Sequence, residues 1–150
     1  MPPPPGPAPD DAPSAPVLAL GEIALRTENL EEMVAFYRDV VGLHPIEVAS
    51  TNAFFSLGES AAGHAAVFVL FDRSGDDDYT PVNQRHTALD HLAFSLAPDE
   101  FDAEVERLER AGLDLDHSYH DWVQWRSVYF SDPDGNRVEF VCFDSDGESR

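Results

Sequence analysis

No lysine occurs in this chain. All nine basic residues are arginine, against 29 acidic ones, giving a formal net charge of −20. So acidic a surface repels nucleic acid and anionic membrane, which excludes both as partners. The acids are spread along the chain rather than gathered into one face, which is the pattern of a solvated surface and not of a docking site for a cation. Either salt adaptation or GC-rich coding accounts for the missing lysine. A single cysteine, Cys142, excludes an intramolecular disulfide. No apolar run reaches the roughly 18 residues of a membrane span. The N-terminus lacks the basic and apolar regions of a signal peptide, so a cytoplasmic protein is expected. There is no P-loop, no Rossmann glycine fingerprint and no Gly-x-Ser-x-Gly elbow. A serine or cysteine nucleophile therefore has no support.

What the chain does have is an ordinary share of hydrophobic residues, 43% of 150, enough for one compact domain or two small fused modules. Residues 1–16 hold eight of the twelve prolines and read as a disordered tail. Residues 145–150 read as an acidic tail. The stretch between them carries the signals of structure.

The most specific of these signals is Tyr129-Phe130-Ser131-Asp132-Pro133-Asp134-Gly135-Asn136-Arg137-Val138-Glu139. Asp-Pro-Asp-Gly is turn chemistry, since proline presets φ and glycine supplies φ > 0. A strand over Arg137–Phe143 then places Glu139 on one face with Val141 and Phe143, and Cys142 on the other. A carboxylate on an apolar face is costly unless something pairs with it, and a metal ion would do so.

A weak internal repeat suggests partners. Glu22-Ile23-Ala24-Leu25 matches His91-Leu92-Ala93-Phe94 sixty-nine residues later. Each opens a β-rich run, and each is followed by a helix ending in Gly-Leu (Gly42-Leu43, Gly112-Leu113) and by further strands. This is a βαβββ unit written twice. The first module spans 17–72, a polar linker spans 73–86 and the second module spans 87–144. Asn29 with Glu32 forms a capping-box-like start to the first helix, and Leu30, Met33, Val34, Tyr37, Val40 and Val41 give it an apolar stripe. Pro98 suits the first turn of the second helix, with Phe101, Val105 and Leu108 as its buried stripe. The remaining strands are expected at 45–49, 52–57, 65–71, 113–119 and 124–130. The fold expected is α+β, with paired βαβββ modules forming a curved mixed sheet around a cup.

Over residues 18–144 the chain resembles the vicinal oxygen chelate superfamily, which includes glyoxalase I, extradiol dioxygenases, fosfomycin-resistance proteins and bleomycin-binding proteins. The resemblance implies a metal site on Glu22, His91 and Glu139. One imidazole and two carboxylates suit Fe(II) or Mn(II) first, and Ni(II) or Zn(II) as well. The free ring nitrogen of His91 is expected to meet an acceptor that orients it. Glu22 has a competing reading as a salt bridge to Arg26, four residues along the same strand face. The first-module position matching Glu139 falls on Val67 or Val69, so the fourth ligand of glyoxalase I is missing.

The end of the chain resembles the extradiol dioxygenase signature in His120, Val128-Tyr129, Asp132-Pro133, Gly135 and Glu139. It departs from it at Ser118, and Glu22 replaces a family histidine. That resemblance implies catalytic roles for His120 and Tyr129, which would hydrogen-bond a substrate oxygen and move protons. The plainer reading makes His120 a loop residue and Tyr129 a core tyrosine. Trp125 shares strand parity with Tyr129 and is expected, with Arg26 and Phe55, to line the substrate pocket. Periodicity does not separate wall from core for Phe54 and Phe55.

The function implied first is an extradiol ring-cleaving dioxygenase acting on a catechol-like small molecule. A glyoxalase- or epimerase-type lyase or isomerase, or a metal-free binding protein, is the alternative. A homodimer is expected.

Overall fold

The computed structural model describes residues 16–144. The acidic tail, and all but Pro16 of the proline-rich tail, lie outside the described residues. The chain forms two units, one of residues 16–88 with 132–135 and the other of 89–131 with 136–144. No helix among the described residues is long and apolar enough to cross a membrane.

The first unit runs β1 (Glu22–Thr27), α1 (Leu30–Ala35), β2 (His44–Val48), β3 (Asn52–Glu59) and β4 (Ala65–Asp72). Its sheet order is β1-β4-β3-β2, with β1 parallel to β4 and the other pairs antiparallel. This is the expected βαβββ module with a mixed sheet. Its core is Met33, Tyr37, Phe55, Phe68 and Leu70, all fully buried. Each such side chain stabilises the fold by about 1.5–3 kcal/mol.

Two local expectations for this module are corrected. Asn29 precedes α1 but makes no side-chain cap. Its amide nitrogen Nδ2 instead donates to Asp134 Oδ1 at 2.9 Å, and its backbone N–H donates to Thr27 Oγ1. The side chain is thus drawn outward by an acceptor that lies far away in sequence. The helix also leaves α geometry at Phe36 and finishes as a π turn over Phe36–Val41. Bonding from i to i+5 widens the turn and changes which side chains face inward. Phe36, outside the expected stripe, is therefore buried, while Leu30 and Val40 are only half-buried. Gly42 ends the helix at φ 90°, with its N–H bonded to the Tyr37 carbonyl.

Residues 73–90 carry no helix or strand. The second unit then repeats the pattern with β5 (His91–Ser95), α2 (Phe101–Arg110), β6 (Asp116–His120), β7 (Trp125–Ser131) and β8 (Arg137–Phe143). The sheet order is β5-β8-β7-β6, again with only the first pair parallel. Pro98 lies in the turn leading into α2, because the chain bonds Glu100 N–H to the Ala97 carbonyl before the helix begins at Phe101. Leu92, Val128, Phe130, Val138, Phe140 and Cys142 on the sheet and Phe101, Val105 and Leu108 on α2 are buried, and α2 packs on β8. Phe130 and Phe140 meet edge to face at 5.1 Å.

The Asp132–Gly135 turn forms as expected. Asp132 Oδ1 accepts the Asp134 N–H at 3.0 Å, the Asp132 carbonyl accepts the Gly135 N–H, and Gly135 takes φ 86°. These turn residues belong to the first unit, where Asp132 is buried against Tyr37.

Candidate functional site

Strand alternation sets the site. On the second sheet, His91, Glu139, Ser127, Tyr129, Ser118, His120 and Trp125 share the face away from α2. The register fixes their neighbours: Ala93 lies opposite Glu139, Glu139 opposite Tyr129, and Trp125 opposite both His120 and Phe143. Polar side chains thus occupy a face that apolar residues would otherwise fill.

Glu139 is the anchor. It is 6% exposed, so its charge requires partners. Its Oε1 accepts the Ser127 hydroxyl at 2.6 Å, and its Oε2 lies 3.1 Å from His91 Nε2. His91 Nδ1 lies 2.7 Å from Asp90 Oδ2. The expected acceptor on the second ring nitrogen is therefore Asp90, a residue the sequence reading did not single out although it directly precedes the histidine.

Tyr129 stands beside this pair, its ring 6.0 Å from the His91 ring and nearly perpendicular to it. The Arg137 guanidinium covers the tyrosine ring at 4.6 Å and also reaches Asp116 at 3.1 Å. Burial, followed by the hydrogen bond and charge of Glu139, pushes the Tyr129 hydroxyl above the usual tyrosine range. It therefore keeps its proton at neutral pH. His120 Nε2 lies 3.3 Å from the Tyr129 oxygen. His120 closes strand β6 and is half-buried, so it is not an exposed loop residue.

The structure brings His91, Glu139, His120 and Tyr129 onto one face, with Trp125 at its end, 43% exposed. Phe55 is corrected. It is fully buried and packs 6.1 Å from Phe68 in the first module's core. Phe54, its neighbour, takes the opposite face and meets Phe71. Glu22 and Arg26 lie in the first unit on one exposed face of β1 and form no ion pair with each other, which removes the salt-bridge reading. Arg26 instead lines a pocket of about 540 Å³ with Arg73, Asp76, Asp78, Tyr79 and Thr80. Ser127 was missed by the sequence reading, although it shares Tyr129's parity two residues earlier.

Glu22 opens β1 as His91 opens β5, and the matched ladders settle the open register: Ala24 faces Val69 where Ala93 faces Glu139. Among the described residues, no group of three or more His, Cys, Asp or Glu side chains is close enough together to hold an ion. Nε2 and Oε2 are 3.1 Å apart, the distance of a direct ion pair and also close to the spacing of two donors held at about 2.0–2.2 Å by one ion.

Two βαβββ modules, the second with an imidazole–carboxylate pair on one sheet face, define a repeat-module fold with a polar site. The family model described as Glyoxalase/Bleomycin resistance protein/Dioxygenase superfamily matches residues 19–140, and the chain belongs to that superfamily. Among curated proteins it is 27% identical over 125 residues to a metallothiol transferase FosB of Lysinibacillus sphaericus, covering 83% of this chain and 82% of that protein. It is 26% identical to a glutathione transferase FosA of Serratia marcescens, over 81% and 78% of the two chains. Among solved structures, lactoylglutathione lyase from Agrobacterium tumefaciens is 32% identical with a TM-score of 0.60, over 85% and 96%. These relatives are named as thiol transferases and a lyase, so the expected ring-cleaving reaction draws no support from them.

Proposed function

We propose that this protein is a divalent-metal-dependent enzyme acting on a small molecule at the His91–Glu139 face, with thiol transfer as its reaction class. The observation that carries the reading is the buried Glu139 carboxylate, turned toward His91 Nε2 with Tyr129 and His120 alongside. His91 and Glu139, both on the second unit's sheet, are two of the metal's ligands. Fe(II), Mn(II), Ni(II) or Zn(II) suits such donors. When bound, the ion supplies Lewis-acid polarisation of a substrate oxygen.

The remaining work falls to the chain. Tyr129 Oη holds a proton at neutral pH and presents it at the face. His120 Nε2 is placed to exchange that proton, directly through its 3.3 Å contact. Asp90 keeps the His91 ring turned so that Nε2 points at Glu139. Trp125 supplies an apolar wall.

The transferase names of FosB and FosA support a thiol as co-substrate, and fosfomycin, the compound that a 23%-identical structural neighbour, FosX of Listeria monocytogenes, gives resistance to, is the acceptor to assay first. The His120–Tyr129 contact favours oxygen-dependent ring cleavage as a second reading. The fully buried Val69 in place of a second strand carboxylate counts against a glyoxalase I reaction. The deciding experiment is elemental analysis of protein purified without chelator, followed by two assays. One measures thiol loss in the presence of fosfomycin. The other measures oxygen uptake with a catechol panel after anaerobic Fe(II) loading. About one ion per chain with thiol loss is expected. Oxygen uptake alone would replace the transferase reading by the dioxygenase one, and metal-free protein that gains none on reconstitution would point to a sequestering protein.

A further inference from the structure

We infer that Ser127 is a positioning residue that locks Glu139 into one-oxygen ligation and so tunes which cation the face accepts. This rests on the metal-site reading above. Ser127 is 1% exposed and Glu139 is 6% exposed, so water has little access to either. The serine hydroxyl donates to Oε1 at 2.6 Å, while Oε2 alone faces His91 Nε2 at 3.1 Å. The bond comes from strand geometry. Tyr129 is the direct partner of Glu139, and Ser127, two residues along, reaches it diagonally on the same face.

A charge-assisted O–H···O bond this short holds the carboxylate plane and removes one oxygen from competition. A carboxylate limited to one oxygen suits small ions with near-octahedral demands. It disfavours Ca²⁺, which takes more oxygens and accepts bidentate carboxylates.

The test is titration of the full chain with Mn²⁺ and with Ca²⁺, in wild type, Ser127→Ala and Ser127→Thr, read by calorimetry and by electron paramagnetic resonance of free Mn²⁺. Groups that orient a ligand typically change affinity about 10–100-fold when removed. Ser127→Ala should therefore weaken Mn²⁺ binding by about that factor and narrow the preference for Mn²⁺ over Ca²⁺. Ser127→Thr, which keeps the hydroxyl, should restore both. Thermal melts of the three proteins separate packing from positioning. A lowered melting temperature with unchanged Mn²⁺ affinity in Ser127→Ala would overturn the inference and leave the metal site standing. Wild type that binds neither ion, nor Zn²⁺, would overturn both. Equal losses in the alanine and threonine variants would also overturn it, since the hydroxyl would then be irrelevant.

Discussion

Tyr37 and Asp132, ninety-five residues apart in sequence, share a buried hydrogen bond of 2.6 Å from the phenol to Oδ2. It ties the Asp-Pro-Asp-Gly turn to the π turn that ends the first helix. Tyr37→Phe leaves a buried carboxylate short of a donor and should cost about 1.5–3 kcal/mol. Urea unfolding at pH 8 measures it.

The same contact sets an alkaline limit. Burial, then the charge of Asp132, hold the Tyr37 hydroxyl far above its ordinary value of 10.0. As pH passes about 10, the unfolded chain releases this proton and the native chain does not. The stability contributed by Tyr37 is therefore complete below that pH and falls above it. Urea midpoints from pH 8 to 11 should fall in the wild type and fall less steeply in Tyr37→Phe. Equal slopes would remove Tyr37 as the cause.

Three variants test the metal reading. His91→Ala and Glu139→Ala should each abolish metal binding by elemental analysis while leaving the fold largely intact, as judged by circular dichroism. Arg26→Gln should leave occupancy unchanged. Full occupancy in His91→Ala would place the site elsewhere.

Tyr129→Phe and His120→Gln should keep the metal and lose turnover. Proton-transfer groups contribute about 10²–10⁴-fold, so kcat should fall within that range with KM little changed. If metal content fell in parallel, the two residues would be supporting the ligands and not the chemistry.

Much of this was legible because it rests on local chemistry. The strand Arg137–Phe143 and the turn before it follow from Pro133, Gly135 and alternation, and these alone place Glu139 and Cys142 on opposite faces. The repeat identified Glu22 and His91 as strand-opening residues. The illegible parts depend on tertiary context. Phe54 and Phe55 are the same residue type side by side, so a period of two cannot tell which one faces the helix. Asn29 has good capping chemistry, but Asp134, 105 residues on, outcompetes the helix for its side chain. The π turn depends on packing that no propensity encodes. Ser127 matters only through a diagonal neighbour on another strand.

The net charge of −20 predicts salt-dependent behaviour. Self-repulsion weakens as the Debye length shrinks from about 30 Å at 0.01 M to about 3 Å at 1 M salt. The melting temperature should rise over that range. The proposed homodimer should also strengthen, with sedimentation in high salt giving about twice the 16.6 kDa chain mass. A strict monomer under those conditions would remove the dimer.

Val69 has a consequence of its own. Where β8 carries an acid, the equivalent place in β4 is hydrocarbon and fully buried. A duplicated segment frees one copy from the demands on the other: once a single hairpin holds the ionising side chain, its twin can fill the same lattice point with a branched alkyl group. The two halves of the chain thus differ at this lattice point, the second carrying an ionising group and the first a buried alkyl group.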